Sequence, residues 1–137
     1  MLRLALLATM LILPGCADLA LDRGSVAPEL AWDAVAAVDM GQTVTIAREP
    51  SLYSETNEVL GPHPTPEHVE AYFAAFAALH YAGSVWLDRE VDATDSKAWR
   101  AVRWGWRLLT IEDETRAVVH NFAIGITPYA PVQRSPK

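Results

Sequence analysis

The carboxylates of Asp39 and Glu112 are the first candidates for chemistry in this chain. A carboxyl pair beside an amide can exchange protons with a substrate or hold a divalent cation. Gln42 and Thr43 follow Asp39 at i+3 and i+4, so a helix would place all three on one face. With a rise of ~1.5 Å per residue and antiparallel neighbours, Asp39 and Glu112 come to about the same height in a bundle. The competing role is structural. Asp39, Gln42, Thr43, Glu112, Asn57 and Asn121 then form a hydrogen-bonded polar seam that sets helix register, with Glu112 engaged by Arg116 at i+4.

A second group is Glu55, His63 and His120, a carboxylate and two imidazoles of the kind that bind a transition metal. Residues 48–65 also form a long proline-rich connection, and polar side chains there are equally suited to satisfying loop backbone. The structural role is the stronger reading, and no metal is favoured. His80, set among Leu79, Tyr81 and Trp86, reads as a core histidine. Arg100, Arg103 and Arg107 fall at i, i+3 and i+7, with Trp99, Trp104 and Trp106 interleaved. Such a stripe suits anionic headgroups or a carboxylate-rich partner, but its ordinary reading is a solvated face with the indoles packed inward. The chain has no Gly-x-Gly-x-x-Gly, Gly-x-Ser-x-Gly or His-Glu-x-x-His, so no cofactor is called for.

The elements that must position these residues are helices. Pro28 and Glu29 suit a first helical turn, and 29–47 is rich in Ala and Val without proline. Thr65-Pro66-Glu67 combines an N-cap hydroxyl, a first-turn proline and a first-turn carboxylate, which predicts a helix over 66–87. Asp88 to Ser96 reads as an acidic polar turn, and a third helix is predicted over 98–124, stopped by Gly125, Pro128 and Pro131. The expected fold is all-α, a three-helix up-down-up bundle spanning 28–126, with a flexible tail over 127–137. Residues 71–87 carry no charge, which leaves a membrane-abutting or integral bundle as the rival to a buried central helix.

Composition bounds the partners. Seventeen acidic residues against eleven basic ones give a net charge of −6, which excludes a nucleic-acid-coating surface. The single cysteine excludes an internal disulfide framework. That cysteine ends a secretory-type N-terminus: Arg3, an apolar run over 4–13, then Pro14-Gly15-Cys16. Leu13-Pro14-Gly15-Cys16 resembles the bacterial lipobox. The resemblance implies a signal peptide over 1–15, lipidation of Cys16 and a tether over 16–27. Ala17 follows the cysteine, where Asp would resemble an inner-membrane retention signal. The outer membrane facing the periplasm is the expected location, with the inner membrane as the alternative.

Asp39-x-x-Gln42-Thr43, Tyr53-x-Glu55-x-Asn57-x-x-Leu60-Gly61-x-x-Pro64, Tyr72-Phe73 and His120-Asn121 together resemble a family of small bacterial and prophage proteins. These are uncharacterised membrane proteins and lipoproteins with an Asp…Gln-Thr…Glu-x-Asn-Pro-x-x-Gly pattern. Glu58 stands here where proline is usual. The resemblance covers about 39–125 and implies a helical, membrane-associated protein without an established activity. The expectation is therefore a non-enzymatic, lipid-anchored envelope protein that binds another envelope component or the membrane surface. A prophage origin would suggest lysis or superinfection exclusion. The alternative is an envelope hydrolase or transferase using Asp39, Glu112 and the Glu55/His63/His120 group.

Overall fold

The computed structural model describes residue 21 and residues 24–128. Within them lie three helices, α1 (Val26–Arg48), α2 (Pro66–Thr94) and α3 (Lys97–Ala123), and each packs against the other two. The all-helical bundle expected from the sequence is therefore the fold. The predicted signal peptide, Cys16 and residues 129–137 lie outside the described residues.

The helix starts follow local chemistry. Thr65 accepts the His68 amide at 3.3 Å ahead of Pro66, and Ser96 accepts the Ala98 amide at 3.2 Å ahead of Lys97. Ser25 occupies the same position before α1, but its hydroxyl is spent elsewhere, donating to Asp88 Oδ1 at 2.9 Å.

One boundary is corrected. The turn expected over 88–96 is mostly helix, because α2 continues to Thr94 and only Asp95 and Ser96 separate it from α3. Asp95 ends α2 in the left-handed conformation, with φ 47°. Within this stretch Asp88 itself turns inside: it is buried and accepts from Ser25, Arg103 and Arg107.

Gly125, at φ 88°, turns the chain after α3. Ile126 then folds back and is almost wholly buried. Its carbonyl accepts from Gln42 Nε2 at 3.1 Å, and that of Thr127 accepts from Thr45 Oγ1 at 3.1 Å. The last residue of the predicted domain, Ile126, and the first of the predicted tail, Thr127, are thus fastened to α1.

The interior is divided. Near the α1–α2 connection it is apolar, with Leu60, Val69 and Phe73 packed beside Met40, Val44, Ala47 and Tyr72. Toward the other end buried charged and polar groups lie among Trp32, Val85, Leu87 and Val91, and further Leu and Trp side chains are exposed on the outside.

Candidate functional site

The charged interior joins all three helices. Glu29 of α1 contacts His80 Nε2 at 2.9 Å and accepts from Arg107 Nε at 3.3 Å. Arg107 Nη2 also donates to Asp88 Oδ1 at 2.8 Å, and Arg103 reaches the same oxygen at 3.2 Å. The Arg107 side chain is only 2% exposed. Burial by itself would raise the Glu29 pKa, but hydrogen bonds from His80, Ser84 and Arg107 and the charge of His80 outweigh it and hold the carboxyl below its ordinary value. His80 is the core histidine expected: it stacks on Trp32 at 3.8 Å between centroids and lies 5.4 Å from Trp106. Gly83 makes room for Trp106, since a Cβ there would sit 3.3 Å from the indole.

This network corrects the reading of the arginine stripe. Arg103 and Arg107 do not form a solvated face but point inward onto Asp88 and Glu29. Arg100 is the more exposed member and pairs with Asp95. Trp106 packs inward, donating to Ser84 Oγ at 3.1 Å, whereas Trp104 is about half exposed.

The open site is at the other end, where the 49–65 connection lies over the ends of α1 and α3. Glu55 orders the connection by accepting the amides of Thr56 and Asn57, both at 2.8 Å, through Oε1. Asn57 accepts the Val59 amide at 2.9 Å and donates to Tyr72 Oη at 3.0 Å. Gly61, at φ 72°, closes the turn by donating to the Asn57 carbonyl at 2.9 Å. Side chains here replace regular secondary structure as the source of order.

Beneath the connection are two adjoining clefts, of about 190 Å³ and about 150 Å³. Glu55, Thr56, His120 and Asn121 line both. The larger also takes in Asp39, Thr43 and Asn57 over an apolar wall of Leu60, Phe73 and Ala117. Asp39 is buried and accepts from Asn121 Nδ2 at 3.4 Å. Its pKa is pushed up to about 7 by burial, then by the charges of Glu55 and Asp113. Glu114 is also pushed up to about 7, by burial and then by Asp39 and Asp113. Neither the Glu55 nor the Glu114 Oε2 atom has a hydrogen-bond partner, although both are buried. No Lys or Arg stands among the cleft-lining residues. The site therefore sets two carboxyls among hydroxyl, amide and imidazole groups, with no ammonium or guanidinium beside them.

The structure sorts the expected site residues. Asp39, Thr43, Glu55, Asn57, His120 and Asn121 come together around the larger cleft. Gln42 lies beside them, fully buried, donating to the carbonyls of Val118 and Ile126. Glu112 makes the i+4 pair with Arg116 that its spacing suggested, at 2.8 Å, but it is exposed and outside the seam, and Glu114 takes the buried position. His63 is exposed and lines neither cleft. The Glu55/His63/His120 grouping does not assemble; among the described residues no three His, Cys, Asp or Glu side chains gather to hold a metal ion. Glu114 was missed because it sits in the run Glu112-Asp113-Glu114, where sequence does not show which carboxylate turns inward. No family model matches this chain, and neither a curated protein nor a solved structure does.

Proposed function

We propose that this chain is a small lipid-anchored protein of the bacterial cell envelope. Its helical domain binds, rather than transforms, an envelope component through the cleft under the 49–65 connection. The ligand group that fits is a primary ammonium. The observation that carries this reading is the imbalance at the cleft: Asp39 and Glu55 line it, Glu55 presents a buried oxygen without a partner, and no Lys or Arg side chain lines it. A donor of several N–H bonds with a positive charge would satisfy those acceptors and restore the charge of Asp39. The larger cleft has room for such a head on a short alkyl stem.

Lipid anchoring is supported by the lipobox-like Leu13-Pro14-Gly15-Cys16 and by the apolar run before it. Cys16→Ser is expected to yield a chain without an acyl group that no longer floats with membranes. A variant that stays with the membranes after carbonate washing would show that another part of the chain holds it there.

The ligand class is tested by titrating the protein with propylammonium chloride and with propanol as the neutral counterpart. Propylammonium should move the side-chain amide signals of Asn57 and Asn121 saturably, and propanol should not. Asp39→Asn should remove the response. An equal response to propanol would overturn the ammonium reading.

A second reading, an envelope hydrolase or transferase, is favoured by one observation. Asp39, with its pKa near 7, is poised for general acid–base work, with His120 on the same cleft. Stoichiometric zinc or manganese, lost in His120→Ala, would move the assignment to that class.

A further inference from the structure

Over the half that holds the Glu29–Arg107 network, buried charges share the interior with Trp32, Val85, Leu87 and Val91, while other large apolar side chains stand outside. The exposed apolar side chains are most numerous on α3. Between Arg100 and Glu112, its exposed positions are Ala101, Val102, Trp104, Leu108 and Leu109. Leu108 is 63% exposed and Leu109 65%. The arginines of this stretch, Arg103 and Arg107, are turned inward by Asp88 and Glu29, which leaves the outer face uncharged over eleven residues, or ~16 Å. Val119 and Phe122 extend the apolar surface beyond Glu112 and Arg116. Single exposed apolar residues are ordinary, but a contiguous face of this kind marks a contact surface.

We infer that the outer face of α3 lies on a lipid bilayer, with the helix axis along the surface. The route of the chain toward Cys16 selects the bilayer over other occupants. Residue 24 precedes Ser25, whose hydroxyl bonds Asp88, which in turn binds Arg103 and Arg107. The chain toward the predicted lipid attachment therefore leaves the bundle level with the uncharged stretch of α3. Seven residues lie between Cys16 and Gly24, so the eight Cα steps reach at most ~29 Å. An anchor of that length keeps this end of the bundle at the membrane. Among the described residues no helix is long and apolar enough to cross one, so the face rests on the bilayer instead of spanning it. Lys97 and Arg100 before the apolar stretch, and Arg116 after it, are placed to reach the headgroups.

The inference rests on the anchored reading of Cys16, and the test separates the two. The full chain, taken from membranes, is reconstituted in phosphatidylcholine–phosphatidylglycerol vesicles with plain or brominated acyl chains. Brominated lipid should quench the tryptophan emission, and Trp104→Phe should cut that quenching at least twofold. Leu108→Asp combined with Leu109→Asp should cut it similarly while the protein still floats and its melting temperature is unchanged, because both side chains are exposed. Mass spectrometry of the Cys16 peptide reports the anchor independently. An acylated, floating protein without quenching overturns the α3 contact and leaves the anchor standing. Quenching without acylation removes the anchor and leaves the contact. A chain that sediments as a dimer without lipid, and becomes monomeric in the Leu108→Asp/Leu109→Asp variant, assigns the face to a second copy and overturns the inference.

Discussion

Arg107→Ala is expected to destabilise the domain by about 3–5 kcal/mol, the cost of breaking a buried ion pair by removing one partner. Arg107 joins Glu29 of α1 to Asp88 of α2 from a position with 2% side-chain exposure. Without it two buried carboxylates face one another, with only His80 and Arg103 left to offset them. A domain of this size has about 5–15 kcal/mol in total, so the loss would be a large share of its stability. Urea denaturation followed by circular dichroism measures the effect. Arg116→Ala is the control: its pair with Glu112 is exposed, and its loss should change stability by less than about 0.5 kcal/mol. Equal midpoints for the two variants would show that the buried network does not hold the helices together.

Asp39→Asn should do the opposite and stabilise the domain, in a pH-dependent way. The folded-state pKa of Asp39 is raised from 3.8 to about 7. A raised carboxyl leaves its stability contribution intact below the unfolded value and loses it as pH rises toward the folded one. The parent protein should therefore weaken between about pH 4 and pH 7 and level off above, for this group. The amide stays neutral throughout and can still accept from Asn121. Its advantage should be near zero at pH 3 and reach on the order of 2–4 kcal/mol at pH 8, at about 1.4 kcal/mol per pH unit. Thermal melts of parent and variant at pH 3, 5 and 8 read this directly. A constant difference across the series would mean that Asp39 has the same pKa folded and unfolded.

The two ends of the bundle thus respond to pH with opposite signs. Glu29, held below its ordinary value, adds stability that is lost as pH falls through its folded pKa. Asp39 and Glu114 lose theirs as pH rises toward 7. One end is an ion-paired network across three helices. The other holds two carboxyls above their ordinary range.

Much of the framework was legible because it depends on neighbours in sequence. Thr65-Pro66 and Gly125 mark helix ends by chemistry that acts over one turn. The length and prolines of 48–65 demanded that side chains supply the order, and Glu55 and Asn57 do so. Helix rise alone put Asp39 level with Glu112, and Asn57 and Asn121 were grouped with them in one polar seam. What the sequence could not decide was direction around each helix. Estimating height placed Glu112 beside Asp39, within two residues of the carboxylate that is buried there. Two residues change height by ~3 Å but rotate a side chain by about 200°. Height is a forgiving quantity and azimuth is not, so Glu114 took the place expected for Glu112. The same holds for Arg103 and Arg107. Their spacing defines one stripe, but whether it faces water or the interior depends on Asp88 and Glu29, which only the packing of three helices brings to it. Asp88 was read as a turn for the same reason: alone it is a polar residue after an apolar run, and against two arginines it belongs inside a helix. Burying those charges left Trp104, Leu108 and Leu109 on the outside, because a helix that turns its arginines inward must turn its opposite face out.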